Sequence, residues 1–115
     1  MITVIINEAP YSTTDKAWNG LRLAKTILES GKDVNIFLID KAIDIGKQNH
    51  TVPEGEVNLE ELTKELLGKG ARIKGCGTCI TRCSVKNDPL IGGVEKGNMA
   101  ALAAWVVESE NVVSF

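Results

Sequence analysis

The chain has 115 residues, enough for one domain over residues 1–115 and too few for two ordinary cores. Its 43% apolar and 24% charged residues match an average globular domain and argue against long disorder, and a net charge of −2 offers no general attraction to nucleic acid. The apolar runs are only a few residues long, far short of the roughly 20 that a membrane helix needs.

Met1–Ile6 is a β-branched run without polar alternation, the pattern of a strand buried on both faces. It stops at Asn7-Glu8 and has no basic segment before it, unlike a signal peptide, so a soluble cytoplasmic protein is expected. Tyr11–Thr14 reads as a loop in which Thr13 or Thr14 caps the next helix. From Asp15 to Ser30, Ala17, Leu21, Ala24 and Leu28 recur at helical spacing, and Gly31 falls where a left-handed C-terminal residue is expected. Val34–Ile39 is a second buried strand, and Lys41–Gly46 has room for a helical turn. Lys47–Glu56, with Pro53 and Gly55, is the most loop-like stretch.

Asn58 followed by Glu61 approximates a capping box, and Leu59, Leu62 and Leu66 continue the helix until Gly68 and Gly70. Ala71–Gly75 reads as a third strand that delivers Cys76, and residues 76 to 85 as a short helix that Asp88-Pro89 ends. Leu90–Val94 is assigned as the fourth strand. Gly97-Asn98 then opens a helix carrying Met99, Leu102, Ala103 and Val106, and Asn111–Phe115 is the last strand. Strands alternating with amphipathic helices predict an α/β domain with a parallel sheet covered on both faces. Ligands and reactive groups in such sheets lie beyond the carboxyl ends of the strands, where Cys76 and the loop from Asn7 both fall.

Charge is uneven. Between Lys64 and Lys86 six cationic residues face Glu65 alone, a local +5, so the remainder carries −7. All three cysteines, Cys76, Cys79 and Cys83, lie in this positive stretch; an odd number within eight positions is a site rather than a secreted disulfide framework. On a helix at 100° per residue the three thiols point within about 60° of one another. Three readings are open. Cys79 and Cys83 can be small core hydrophobes. Cys76 can be a nucleophile, favoured by the start of a helix and the surrounding Lys and Arg, with Gly75 and Gly77 leaving its sulfur uncovered and Cys79 one turn away as a resolving thiol. The cysteines can also hold a metal, with His50, the one histidine, as fourth ligand, although a solvated loop histidine is the plainer reading.

The other candidates are weaker. No phosphate-binding glycine loop is present, and Ser84, His50 and Asp88 stand in no hydrolase motif. Trp18 and Trp105 belong to helix stripes, as core or interface anchors.

Three features together resemble the DsrE/DsrF-like (DsrEFH) family. They are the N-terminal strand Ile2–Ile6 leading through a loop to a helix, the segment Ala71-Arg-Ile-Lys-Gly-Cys76 with Arg82 six residues on, and the closing helix and strand from Gly97 to Phe115. The resemblance implies a three-layer α/β/α fold around a five-stranded parallel sheet. It implies a sulfur-transfer function in which Cys76 carries a persulfide received from a donor protein and passed to an acceptor protein, without a cofactor, in a homo-oligomer (trimer or hexamer). Arg82 and Lys74 are then the cations expected to stabilise the Cys76 thiolate. Cys79 has no counterpart in the family pattern. The competing readings are a thiol redox protein using Cys76 and Cys79, or a non-enzymatic assembly or metal-binding subunit with structural cysteines.

Overall fold

The computed structural model describes residues 1–82 and 88–115. Its strands are β1 (Ile2–Ile6), β2 (Val34–Leu38), β3 (Arg72–Cys76), β4 (Val94–Gly97) and β5 (Asn111–Ser114). Helix α1 (Lys16–Glu29) joins the first two strands, α2 (Leu59–Gly68) precedes β3, α3 (Gly77–Arg82) follows it directly, and α4 (Met99–Glu108) leads to β5. A 3-10 segment over Asp40–Gly46 follows β2. All pairings are parallel, in the order β4-β3-β2-β1-β5. The expected three-layer α/β/α fold is the one observed.

Strand alternation divides the sheet into two unlike faces. On one face Val4 and Ile6 lie level with Ile36 and Leu38, and Ile73 and Gly75 continue the rows. This face is apolar and is covered by α1, the 3-10 segment and α2. Gly20 of α1 comes so close to Ile6 that an added Cβ would lie 2.9 Å from its Cδ1; small Ala17, Gly20 and Ala24 are buried in the helix together with the one large side chain Leu21. The other face carries Thr3, Asn35, Phe37, Arg72, Lys74 and Cys76. Trp105 of α4 covers it, meeting the Phe37 ring edge to face at 6.1 Å, a pairing that contributes about 0.5–1.5 kcal/mol beyond area burial.

Helix ends follow the sequence in three cases and depart from it in one. Asn58 and Asn98 cap α2 and α4, their side chains accepting the N–H of Glu61 and of Ala101 at 3.1 and 2.8 Å. Gly31, at φ 96°, ends α1 as expected. The residue before α1, however, is Asp15, and neither Thr13 nor Thr14 caps the helix; Thr14 Oγ1 only accepts the Lys16 N–H at 3.4 Å.

The fourth strand also differs. It begins at Val94 instead of Leu90, because Leu90 forms an isolated antiparallel bridge with Lys47 and the chain then turns at Gly92-Gly93, with Gly93 at φ 102°. Ile91 is buried and donates its N–H to the Gly46 carbonyl at 2.8 Å, so the apolar pair Leu90-Ile91 serves the 3-10 segment rather than the sheet. The true strand, Val-Glu-Lys-Gly, is an edge strand with charged residues outward. Of the helix expected over residues 76 to 85, Gly77–Arg82 is helical, Cys76 ends β3 instead, and residues 83–85, including Cys83 and Ser84, lie outside the described residues.

The loop between the 3-10 segment and α2 is tied down by Glu60. Its Oε1 accepts the backbone N–H of His50 at 2.9 Å and its Oε2 pairs with Lys64 at 3.3 Å. The His50 N–H bond, with smaller help from Lys64 and the Asn49 N–H, holds the Glu60 carboxyl below its ordinary range. A carboxylate of lowered folded-state pKa stabilises the protein above its unfolded value of about 4.3, and that contribution is lost as pH falls through the folded value. Glu60→Gln is therefore expected to lower the urea midpoint at pH 7 and to have a smaller effect at pH 3. An equal effect at both pH values would remove the carboxylate's role.

Candidate functional site

Cys76 is the last residue of β3, in register with Gly97 of β4, and α3 begins at the next position. No residue intervenes between strand and helix, and glycines on both sides make that possible. Gly75 lies under Ile43 Cδ1, which would stand 3.1 Å from an added Cβ, and a Cβ at Gly77 would meet the Gly97 carbonyl oxygen at 3.3 Å. The same close approaches explain a departure from the sequence reading. Gly75 and Gly77 were expected to leave the sulfur open, yet Cys76 is only 7% exposed. β3 is an interior strand, and the missing side chains let the 3-10 segment and β4 close in instead of leaving space.

Cys79 stands one turn along α3 and is half-buried against the core. Its Sγ accepts the backbone N–H of Asp40 at 3.2 Å, a bond that ties α3 to the end of β2. Asp40 has φ 56°, a left-handed conformation that Asp tolerates better than most side chains. No disulfide joins Cys76 and Cys79.

The two expected cations divide differently. Arg82 ends α3, where a positive charge complements the helix dipole, and it is exposed. Arg82 stands three residues after Cys79 on α3, the spacing at which helical side chains are neighbours. Lys74 shares the face of β3 with Cys76, but its Nζ lies 4.9 Å from the centre of the Trp105 ring, and the Arg72 guanidinium lies 5.9 Å from the same ring. Lys74 thus helps to seat α4 on the sheet.

Among the described residues no group of three His, Cys, Asp or Glu is placed to share a metal ion. His50 is not the solvated loop histidine expected: its two ring nitrogens are buried, and the ring stands edge to face with Tyr11 at 6.3 Å. Sequence reading also missed Asp40. Its signal was faint, a single Asp directly after an apolar run, the type of residue that follows a strand in a left-handed turn.

Comparison with known proteins fixes the family. The family model described as the DsrE/DsrF-like family matches residues 1–115. The chain belongs to the DsrE/DsrF-like family. It is 39% identical over 115 residues to an uncharacterized protein of Methanopyrus kandleri, covering 100% of this chain and 93% of that one. It is 32% identical over 116 residues to protein YchN of Escherichia coli K12, covering 99% and 97% of the two chains. The crystal structure of the E. coli ychN protein superposes with a TM-score of 0.89 at 31% identity, over 99% of this chain and 97% of that one.

In this DsrE/DsrF-like chain the seat of Cys76 depends on its partner Gly97. A Cβ there would lie 2.9 Å from Phe37 Cε2 and 3.2 Å from Lys74 Cβ, and Phe37 is fully buried with its ring already set against Trp105. Gly97→Ala is expected to destabilise the fold by about 1–3 kcal/mol, the usual cost of overpacking, read as a lower urea midpoint. An unchanged midpoint would show that Phe37 yields at no cost.

Proposed function

We propose that the protein is a sulfur carrier that receives sulfane sulfur on Cys76 and passes it to the thiol of a partner protein. The observation that carries this reading is the position of Cys76 in a DsrE/DsrF-like chain: the carboxyl end of an interior parallel strand, followed at once by a helix bearing a second thiol. The Cys76 thiolate attacks the outer sulfur of a donor persulfide. A new S–S bond forms at Cys76 as the donor's breaks, and the donor leaves as a thiolate. An acceptor thiolate then attacks the outer sulfur and Cys76 leaves as thiolate, so no external oxidant or reductant is needed. Cys79 gives a second outcome: attack on the inner sulfur forms a Cys76–Cys79 disulfide and releases sulfide. Because Cys76 is buried, a partner thiol meets its sulfur when α3 shifts, and the bond from the Asp40 N–H to Cys79 Sγ is one that such a shift breaks.

The same reading includes assembly into a homo-oligomer. Helix α4 is apolar nearly all round, and only Leu102 and Trp105 are buried. Met99 is 60% exposed and Val107 83%, with Val106 and Val112 of β5 nearby in the chain, an apolar surface of the kind that marks a protein contact. Val107→Glu together with Met99→Glu is expected to convert the assembly to monomer by analytical ultracentrifugation. A wild-type monomer at micromolar concentration would reject the proposal.

For sulfur loading the decisive measurement is intact-protein mass spectrometry after anaerobic incubation with a persulfide donor. Wild type is expected to gain one sulfur, Cys76→Ser none, and Cys79→Ser to keep the gain without losing it as sulfide. Loading that survives in Cys76→Ser would reject the assignment.

A further inference from the structure

Cys76-Gly-Thr-Cys79 has the two-residue spacing of redox-active dithiols, and it falls at a junction of strand and helix. Cys76 ends β3 and immediately precedes α3, so Cys79 is the third residue of that helix. Residues three apart on a helix have Cβ atoms about 5–6 Å apart, and a disulfide needs about 3.5–4.5 Å. Closing the pair therefore asks for a small movement of the first turn of α3. The two thiols differ in access: Cys76 is buried, whereas Cys79 is half-buried.

The bond from the Asp40 N–H to Cys79 Sγ divides the chemistry of this pair into two stages. With the bond broken and α3 displaced, a donor reaches Cys76 and loads it. With the bond made, Cys76 is covered and Cys79 stands one turn along the chain. Accepting an N–H orients the Cys79 sulfur and suits its thiolate, the nucleophilic form. A thiol held so close competes for the loaded sulfur at an effective concentration that few dissolved thiols match.

We infer that the loaded protein releases its sulfur as sulfide and is restored by a dithiol reductant, so that Cys76 and Cys79 together act as a persulfide reductase. This rests on the loading of Cys76 and adds the reducing partner and the fate of the sulfur. The Cys79 thiolate attacks Cys76 Sγ, the bond to the outer sulfur breaks, and that sulfur leaves with the electron pair as hydrosulfide. A Cys76–Cys79 disulfide remains. One thiolate of the dithiol attacks Cys79 Sγ, the more accessible of the two, and Cys76 leaves as thiolate. The second thiolate of the reductant then expels Cys79, and the reductant departs as its own disulfide. Two electrons pass from the dithiol to the sulfane sulfur, with no net proton, and Cys76 is ready to load again. A monothiol stops at a mixed disulfide on Cys79, which the Cys76 thiolate reverses. A dithiol closes on itself, which selects that class of partner.

Wild type, Cys79→Ser and Cys83→Ser are loaded anaerobically with glutathione persulfide, desalted, and followed by intact mass and by sulfide assay. Wild type and Cys83→Ser are expected to exchange the added sulfur for the loss of two hydrogens, releasing one sulfide per chain. Cys79→Ser is expected to hold its sulfur at least about tenfold longer. Equal retention in wild type and Cys79→Ser, or retention in Cys83→Ser instead, would overturn the inference while leaving loading intact. Neither sulfur gained nor sulfide released in any form would reject loading itself, and the inference with it. Cys79→Ala replaces Cys79→Ser should the latter not fold. The oxidised wild type is then treated with dithiothreitol or with glutathione and quenched in acid. Dithiothreitol is expected to restore the reduced mass and renewed loading. Glutathione is expected to leave its adduct on Cys79, assigned by fragmentation of the tryptic peptide of residues 75–82. A disulfide that dithiothreitol does not open, or an adduct on Cys76, would overturn the reductive half of the cycle.

Discussion

Parallel pairing is the constraint from which the rest of this molecule follows. When every strand runs the same way, each connection must return across a face, and every carboxyl end collects on one edge. The backbone groups of β1, β2 and β3 are satisfied on both sides by neighbouring strands, so these segments tolerate apolar side chains above and below. The loops at the carboxyl edge are the ones left to carry chemistry. Cys76, Cys79, Asp40, Tyr11 and His50 all reach that edge by this one rule, from four different parts of the sequence.

The two faces bear the consequences unequally. Three helical segments in succession, α1, the 3-10 segment and α2, run across the face of Ile6, Ile36, Leu38 and Ile73, which are buried beneath them. One connection, α4, must cover the other face, which carries Arg72, Lys74, Asn35 and Thr3. Trp105 solves that mismatch by offering an aromatic ring to the two cations and its edge contact to Phe37, while its carbonyl accepts from Ser109 Oγ at 2.6 Å. A ten-residue helix that anchors itself through Leu102 and Trp105 leaves most of its own apolar surface outward. Excess apolar surface on α4 is thus the direct result of one helix covering what three cover on the opposite side.

This division explains what could be read in the sequence. The buried strands β1 and β2 announced themselves as unbroken apolar runs, and Asn58 and Asn98 announced two helix starts through local side-chain chemistry. β4 did not, because an edge strand looks polar, while the apolar pair before it, Leu90-Ile91, packs elsewhere. The position of Cys76 at the sheet edge was legible from the strand that precedes it. Its burial was not, because glycine has opposite meanings beside an open loop and beside an interior strand, and only the packing of Ile43 and the approach of Gly97 decide between them. The seating of Lys74 on Trp105 joins residues 31 positions apart, which no local pattern reports.

The carboxyl edge is also where the backbone is most strained. Tyr11, Asp40 and Asn49 are the non-glycine residues with positive φ among those described, and all three follow the carboxyl end of β1, β2 or the 3-10 segment. Asp and Asn enter this region at modest cost, whereas an aromatic side chain there is a true outlier. Each of the three regions is tied to another element. Asn49 Nδ2 reaches Asp88 at 3.3 Å and the Asp40 N–H reaches Cys79 Sγ at 3.2 Å, while the Tyr11 hydroxyl is fixed by two bonds of 2.8 Å to the start of α2. Strain of about 1–3 kcal/mol per residue persists only where the surroundings over-determine it. Tyr11 therefore couples the loop after β1 to the start of α2, and Asp40 couples the end of β2 to the helix of Cys79, so that the carboxyl edge is held by side-chain and sulfur contacts where the sheet's own ladder ends.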